Sequence, residues 1–112
     1  MTDQTAVMFA CYQVAAEDQS SFLQLLVETE AIYRKHATIT ESPILRLQSL
    51  EDPEFVVEII EWQSQQALEG VMANEEIMAQ WSAIQAAWKR GDMGFDQMPE
   101  AKIPWAVMRP FR

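Results

Sequence analysis

A pair of opposite charges on two neighbouring predicted strands is the pattern in this sequence that points most directly to chemistry. Arg46 lies in an apolar segment at residues 44–50, and Glu58 lies in another at residues 55–62. A turn centred on Asp52 predicts a β-hairpin in which Arg46 is opposite Glu58. Charges among apolar neighbours are either paired or face a cavity. The sequence therefore leaves two alternatives open, a structural or interface ion pair and a polar group of a pocket.

Aromatic side chains recur at positions that could line a pocket for a small, flat, apolar molecule. The candidate ligand-binding residues are Tyr12, Tyr33, Trp62, Trp81 and Met72. Aromatic faces stack on flat ligands, and a tyrosine hydroxyl or Arg46 would orient the polar end of the ligand. The same residues, with Trp88, also have the spacing that a hydrophobic core requires. Pocket lining and core packing are both consistent with the sequence.

The chain has one histidine and one cysteine, and neither is placed like a member of a catalytic pair. His36 titrates near neutral pH, but it follows Arg34 and Lys35 at the predicted end of a helix, where the helix dipole stabilises cations. It is a candidate for a catalytic residue and equally for a helix cap. Cys11 lies in an apolar strand, which predicts a buried thiol. These two residues are far apart in sequence, so no metal site is expected.

The composition predicts a single globular domain over residues 1–112. Hydrophobic residues make up 49% of the chain, and no apolar run is long enough to span a membrane. Seventeen acidic residues against eight basic ones give a net charge of −9, which opposes binding to nucleic acid and to anionic membranes. The N-terminus lacks the basic and apolar regions of a secretory signal, so we expect a cytoplasmic protein.

The elements that must position these side chains follow the order β-α-β-β-α-β. Apolar runs and helical spacing predict elements at residues 6–14, 17–36, 44–50, 55–62, 64–90 and 105–109. Four strands in one antiparallel sheet with the helices on one face is the ferredoxin-like arrangement of an α+β protein.

Helix boundaries are indicated by polar caps and by a repeating apolar stripe. The inward stripe of the first helix is predicted to be Phe22, Leu26, Thr29 and Tyr33. Ser64 and Asn74 are N-cap signals, which divide the second helical region into a short helix, a kink and a longer helix. Lys89, Arg90 and Gly91 predict its C-terminal end.

The predicted strands carry apolar residues on both faces, whereas two helices cover only one face of a sheet. An antiparallel sheet in a monomer normally leaves its second face polar. Because twofold dimers are the commonest assembly of soluble proteins, a second copy of the chain is the simplest cover for the bare face. We therefore expect a homodimer through the sheet face.

The segment at residues 55–72, FVVEIIEWQSQQALEGVM, carries a resemblance to a known group of proteins. Its strand ends in Glu61 and Trp62, followed by the Ser64 cap and by Ala67 and Leu68. This pattern, in a β-α-β-β-α-β chain of this length, resembles the dimeric α/β-barrel superfamily and within it the antibiotic biosynthesis monooxygenase-like domains. The resemblance implies two four-stranded sheets face to face in a dimer. It also implies a ligand pocket between each sheet and its own helices.

The resemblance implies two different functions, and the residues of this chain distinguish between them. Some relatives oxidise polycyclic aromatic substrates with molecular oxygen and no cofactor, and others degrade haem. Val71 and Met72 stand where many relatives have a histidine, which haem degraders use as the iron ligand, so haem binding is not expected. Ser42 and Pro43 replace a glycine that often precedes the second strand.

The function implied by the resemblance is therefore that of a cofactor-independent monooxygenase-like protein. It would act on a small aromatic or polyketide-like molecule, with Arg46 steadying an enolate or phenolate. No phosphate-binding loop, nucleophile elbow or triad spacing is present in the sequence. The alternative is a non-enzymatic, dimeric ligand-binding or accessory protein.

Overall fold

A four-stranded antiparallel sheet carries the helices of this α+β fold on one face. The computed structural model describes residues 4–87, 95–102, 104 and 106–112. The strands are β1 (Ala6–Gln13), β2 (Leu45–Ser49), β3 (Phe55–Trp62) and β4 (Met108–Pro110). Their order in the sheet is β1-β3-β2-β4. The predicted ferredoxin-like fold class is confirmed.

The fourth strand lies beside β2, at the edge of the sheet away from β1. Both β3 and β4 are antiparallel to β2, so they are parallel to each other. A right-handed crossover over the helices would place β4 beside β1. Instead, residues 95–102 lie on the other face of the sheet, where Met98 packs with Cys11 and Val57. Within the described residues, β3 is the one strand that pairs with β1.

The last strand is shorter than the sequence predicts. It was expected at residues 105–109, whereas the described strand begins at Met108 and includes Pro110, which is opposite Leu47. Proline has no backbone N–H to donate to a neighbouring strand, so it is tolerated in an edge strand such as β4. Residue 105 lies outside the described residues.

Three α-helices cover one face of the sheet. They are α1 (Gln19–Lys35), α2 (Gln65–Gly70) and α3 (Glu75–Ala87). The Ser64 hydroxyl accepts a hydrogen bond from the Ala67 amide at 3.0 Å, and the Asn74 side-chain oxygen accepts one from the Ile77 amide at 3.0 Å. These two N-caps confirm the predicted short helix, kink and longer helix. The predicted end at residues 89–91 lies outside the described residues.

The core between helices and sheet contains the stripe predicted for α1. All four of its residues are buried, and they are Phe22, Leu26, Thr29 and Tyr33. Trp62, at the end of β3, is fully buried beneath the helices with Ile60 and Ile77. A side chain of this size contributes several kcal/mol through burial, roughly 3 kcal/mol or more. α1 and α3 therefore pack against the buried end of β3.

The second face of the sheet is covered in part by the chain itself. Residues 95–102 place Met98 over Cys11 and Phe55, and the Glu100 side chain reaches Ser49. The remaining part of this face exposes large apolar side chains, namely Val7, Phe9 and Leu45. The described chain therefore shields one part of this face and leaves the other to solvent.

Candidate functional site

The predicted cross-strand pair forms an ion pair under α1. Arg46 is opposite Glu58 in the ladder, and its Nε donates to Glu58 Oε2 at 3.1 Å. Its Nη2 donates to Glu30 Oε1 at 2.7 Å and to the Leu26 carbonyl at 3.3 Å. The side chains of Arg46 and Glu58 are only 12% and 3% exposed. Two carboxylates and a helix carbonyl thus surround the guanidinium, as a buried charge requires.

The other oxygen of Glu58 is held by Tyr12. The Tyr12 hydroxyl donates to Glu58 Oε1 at 2.9 Å, so both carboxylate oxygens accept hydrogen bonds, which is the pattern of an ionised group. Burial raises the pKa of Glu58, and the Arg46 charge opposes that rise. Burial, together with the Glu58 charge, raises the pKa of the Tyr12 hydroxyl well above its ordinary value, so it is a neutral donor.

The space we call the tyrosine cavity lies between β1 and the helices next to Tyr12. Its volume is about 270 Å³, and it is open to solvent on one side. The residues that line it are Met8, Ala10, Tyr12, Tyr33, Trp81, Ile84 and Gln85. No charged side chain is among these lining residues. An apolar cavity lined by two tyrosines and a tryptophan is the kind of site that holds a small, mostly apolar ligand.

A hydrogen bond between Trp81 and Tyr33 fixes one wall of the tyrosine cavity. The Trp81 indole Nε1 donates to the Tyr33 hydroxyl oxygen at 2.6 Å. Burial raises the pKa of Tyr33, so this hydroxyl also stays protonated.

Trp62 supports this wall from behind and is not among the lining residues. It packs edge to face against Tyr33, with ring centroids 5.0 Å apart, and against Trp81 at 6.4 Å. Its indole nitrogen is buried and has no hydrogen-bond acceptor among the described residues. Edge-to-face contacts of this kind fix the ring orientations. Trp62, at the end of β3, thus fixes the positions of the Tyr33 and Trp81 rings.

Several residues singled out from the sequence lie away from the tyrosine cavity. The Met72 side chain is 69% exposed on the helical turn after α2. His36 ends α1, where its Nε2 lies 2.7 Å from Glu76 Oε1, and Lys35 contacts the same carboxylate. The hydrogen bonds from His36 and Lys35 lower the pKa of Glu76. Trp88 lies outside the described residues.

Cys11 is buried on the opposite face of the sheet. It packs with Phe55, Val57 and Met98. Burial raises the pKa of its thiol to about 11, so the reactive thiolate is a very minor species at neutral pH. This is the environment of a core cysteine.

Five participants were not identified from the sequence as site residues, and two of them, Met8 and Ala10, line the tyrosine cavity from β1. Glu30 completes the charge network around Arg46, but its only local signal is a partner four residues later, Arg34. Ile84 and Gln85 line the tyrosine cavity from α3. Their role depends on how α3 crosses β1, which local periodicity does not specify.

Other features of the described chain offer less chemistry. A larger space of about 460 Å³ lies between the start of α1 and the end of α3, and Asp18 is the one charged side chain among the described residues that line it. Among the described residues, no group of three or more His, Cys, Asp or Glu side chains is arranged to hold a metal ion. None of the described helices has the length and apolarity needed to cross a bilayer.

Comparison with known proteins relates the fold to two solved structures. No protein-family model matches the sequence, and no curated protein matches it. A "conserved protein from Methanosarcina mazei Go1" has a TM-score of 0.63 at 18% identity, over 77% of this chain and 83% of its own. The "Putative antibiotic biosynthesis monooxygenase from Nitrosomonas europaea" has a TM-score of 0.60 at 15% identity, over 79% of this chain and 82% of its own. The resemblance drawn from the sequence is thus confirmed at the level of the fold.

Proposed function

We propose that this protein binds a small, flat aromatic or polyketide-like molecule in the tyrosine cavity. The observation that carries the proposal is the cavity itself, about 270 Å³ with Tyr12, Tyr33 and Trp81 in its lining. Pockets for drug-sized ligands begin at about 300 Å³, so this cavity suits a molecule of roughly one or two fused rings. Its aromatic lining would stack on the rings, and its hydroxyl groups would contact polar substituents.

The reaction we propose is cofactor-independent oxygenation of that molecule. The support for it is the fold shared with the Nitrosomonas europaea protein, whose name describes a monooxygenase of antibiotic biosynthesis. In this proposal the cavity orients the ring while molecular oxygen reacts with it. One oxygen atom enters the ring as a carbonyl and the other leaves as water.

The charge network acts indirectly in this proposal. Arg46 is committed to Glu58 and Glu30 and is not among the residues that line the tyrosine cavity. It would therefore affect a bound molecule through Glu58 and the Tyr12 hydroxyl rather than by direct contact with an enolate or phenolate.

Oxygen uptake with 1,5-dihydroxynaphthalene tests the reaction. We expect one oxygen molecule to be consumed per quinone formed, at a rate that falls by about tenfold or more in Ala10→Leu, because the added methyl groups fill the cavity. Ala83→Leu makes the same change at an exposed position of α3 and should react like wild type. Equal rates in the two variants would contradict the assignment of the reaction to this cavity.

The second candidate function is ligand binding without catalysis. It is favoured by the pairing of the nearest ionised groups, since Glu58 is held by Tyr12 and Arg46 at 2.9 and 3.1 Å. A carboxylate satisfied in this way is a weak general base. Binding of dihydroxynaphthalene by wild type, with loss of binding in Ala10→Leu and no oxygen uptake in either, would establish this alternative.

We further propose that two copies associate through the exposed part of the second sheet face. Val7, Phe9 and Leu45 form an apolar surface there, with about half of each side chain exposed, and the Glu61 carboxylate borders it opposite Val7. A space of about 440 Å³ also remains between the sheet and the C-terminal segment, bordered by Phe95 and Met98. Exposed apolar patches mark interaction sites, and twofold dimers are the commonest assembly of soluble proteins. A second copy of the chain is therefore the partner we expect on this surface.

A further inference from the structure

We propose that Tyr33, oriented by Trp81, selects the ligand of the tyrosine cavity as an uncharged aromatic molecule that carries a carbonyl oxygen. This inference rests on the proposed function, because it assumes that the cavity binds an aromatic ligand. It adds the chemical feature that the cavity prefers, an oxygen atom that accepts a hydrogen bond as a carbonyl does and as a phenol oxygen does more weakly, and the side chain that recognises it.

The first observation is an unused hydrogen-bond donor in the cavity wall. The Tyr33 side chain is only 3% exposed and lines the cavity. Its oxygen accepts the Trp81 indole N–H at 2.6 Å, but within the described part of the chain no acceptor receives its own O–H. A buried O–H group that lacks an acceptor is unfavourable. A ligand oxygen in the cavity would supply the missing acceptor.

The second observation is that this donor is oriented before any ligand binds. The hydrogen bond from Trp81 polarises the Tyr33 hydroxyl, which makes it a stronger donor. Trp62 packs edge to face on both rings and restricts their rotation. A donor that is already ordered loses little conformational entropy when it binds. The Tyr33 O–H is therefore suited to a fixed acceptor position.

The third observation concerns the sign of charge that the cavity accepts. Tyr12 also lines the cavity, and its hydroxyl donates to the buried Glu58 carboxylate. The Glu58 charge acts on both tyrosines and raises the pKa of each, although Arg46 partly offsets it. An anionic ligand would lose its hydration among lining residues that include no cation, which disfavours it. A neutral carbonyl accepts from Tyr33 without that cost.

Calorimetric titration with three naphthalenes of matched shape tests the proposal. The probes are 2-acetylnaphthalene, which has a carbonyl, 2-isopropenylnaphthalene, which has a methylene in its place, and 2-naphthoate, which is anionic. Wild-type protein should bind the ketone about three- to tenfold more tightly than the alkene, as expected for one hydrogen bond. It should bind 2-naphthoate more weakly than either.

The Tyr33→Phe variant separates recognition by the hydroxyl from packing by the ring. It should bind the ketone and the alkene with the same affinity, and its affinity for the alkene should stay within about twofold of the wild-type value. His36→Gln, a change at the exposed end of the same helix, should keep the preference for the ketone.

Three results would overturn the inference. Equal affinities of wild type for ketone and alkene, tighter binding of 2-naphthoate, or a ketone preference that survives in Tyr33→Phe would each do so. The first two need no variant and so do not depend on its folding. Equal binding of all three probes would leave the proposed binding function in place. If none of the three probes binds, both this inference and the proposed binding function are wrong.

Discussion

At the scale of single residues, Arg46 shows how a charged side chain is accommodated in this core. Its guanidinium bonds to Glu58 on β3, to Glu30 on α1 and to the Leu26 carbonyl. The pair therefore joins a helix to the sheet as well as two strands to each other. These contacts are those of a structural ion pair, but both alternatives that the sequence left open stand, because Arg46 does not line the tyrosine cavity but does line another space of about 390 Å³ beside β2 and β4.

The Arg46→Leu variant should lose about 3 kcal/mol of unfolding free energy, because Glu58 would remain buried without its cation. Arg34→Leu is the matched control, since Arg34 also pairs with Glu30 but has a side chain 37% exposed. That variant should lose less than about 1 kcal/mol. Urea denaturation followed by circular dichroism measures both values. A loss in Arg46→Leu no larger than that in Arg34→Leu would show that the buried network does not stabilise the fold.

At the scale of elements, the strand register and the helix caps could be predicted, because both depend on residues close together in the sequence. The register that places Arg46 opposite Glu58 follows from a short turn and from two apolar runs, and it is confirmed. The caps at Ser64 and Asn74 are confirmed because capping involves only the next three residues. The position of β4 beside β2 could not be predicted, since it depends on how residues 95–102 pack across the sheet.

Glu100 is the side chain that attaches residues 95–102 to the hairpin. Its Oε2 accepts from the Ser49 hydroxyl at 3.0 Å and from the Leu50 amide at 3.1 Å, and the side chain is only 4% exposed. Burial raises the pKa of Glu100, but these hydrogen bonds outweigh burial and hold the pKa below its ordinary value of 4.5. The ionised carboxylate therefore stabilises this attachment.

The pKa of Glu100 makes the stability of the fold depend on pH in a defined direction. A carboxyl whose pKa is lower in the folded state stabilises the fold above its unfolded pKa, and this contribution is lost as the pH falls through the folded value. We expect Glu100→Gln to lose less stability than wild type between about pH 5 and pH 3. Unfolding free energies across this range measure the difference. Parallel pH profiles would contradict the role given to Glu100.

At the scale of the whole molecule, the two faces of the sheet have different roles. The helix face contains the tyrosine cavity, and the second face exposes Val7, Phe9 and Leu45. The sequence predicted apolar residues on both faces because the strands lack alternation. It could not predict that residues 95–102 cover part of the second face, since contacts so distant in sequence leave no local periodicity.

The proposed dimer predicts a particular mass in solution. Sedimentation at low micromolar concentration should give about 26 kDa, twice the chain mass of 12.9 kDa. Val7→Glu should shift the mass toward that of the monomer, because it places a charge in the apolar surface. Val27→Glu is the matched control, since Val27 is 47% exposed on α1 and Val7 is 51% exposed on β1. A monomeric wild type would contradict the dimer.

The most direct test of the central claim locates a bound aromatic molecule on the protein. Methionine methyl resonances provide the markers, because Met8 lines the tyrosine cavity, whereas Met98 and Met108 lie on the second sheet face. Titration of methyl-labelled wild-type protein with 2-acetylnaphthalene should shift the Met8 signal and leave the signals of Met98 and Met108 unchanged. Shifts at Met98 and Met108 with Met8 unchanged, or no shift at any of the three, would contradict binding in the tyrosine cavity.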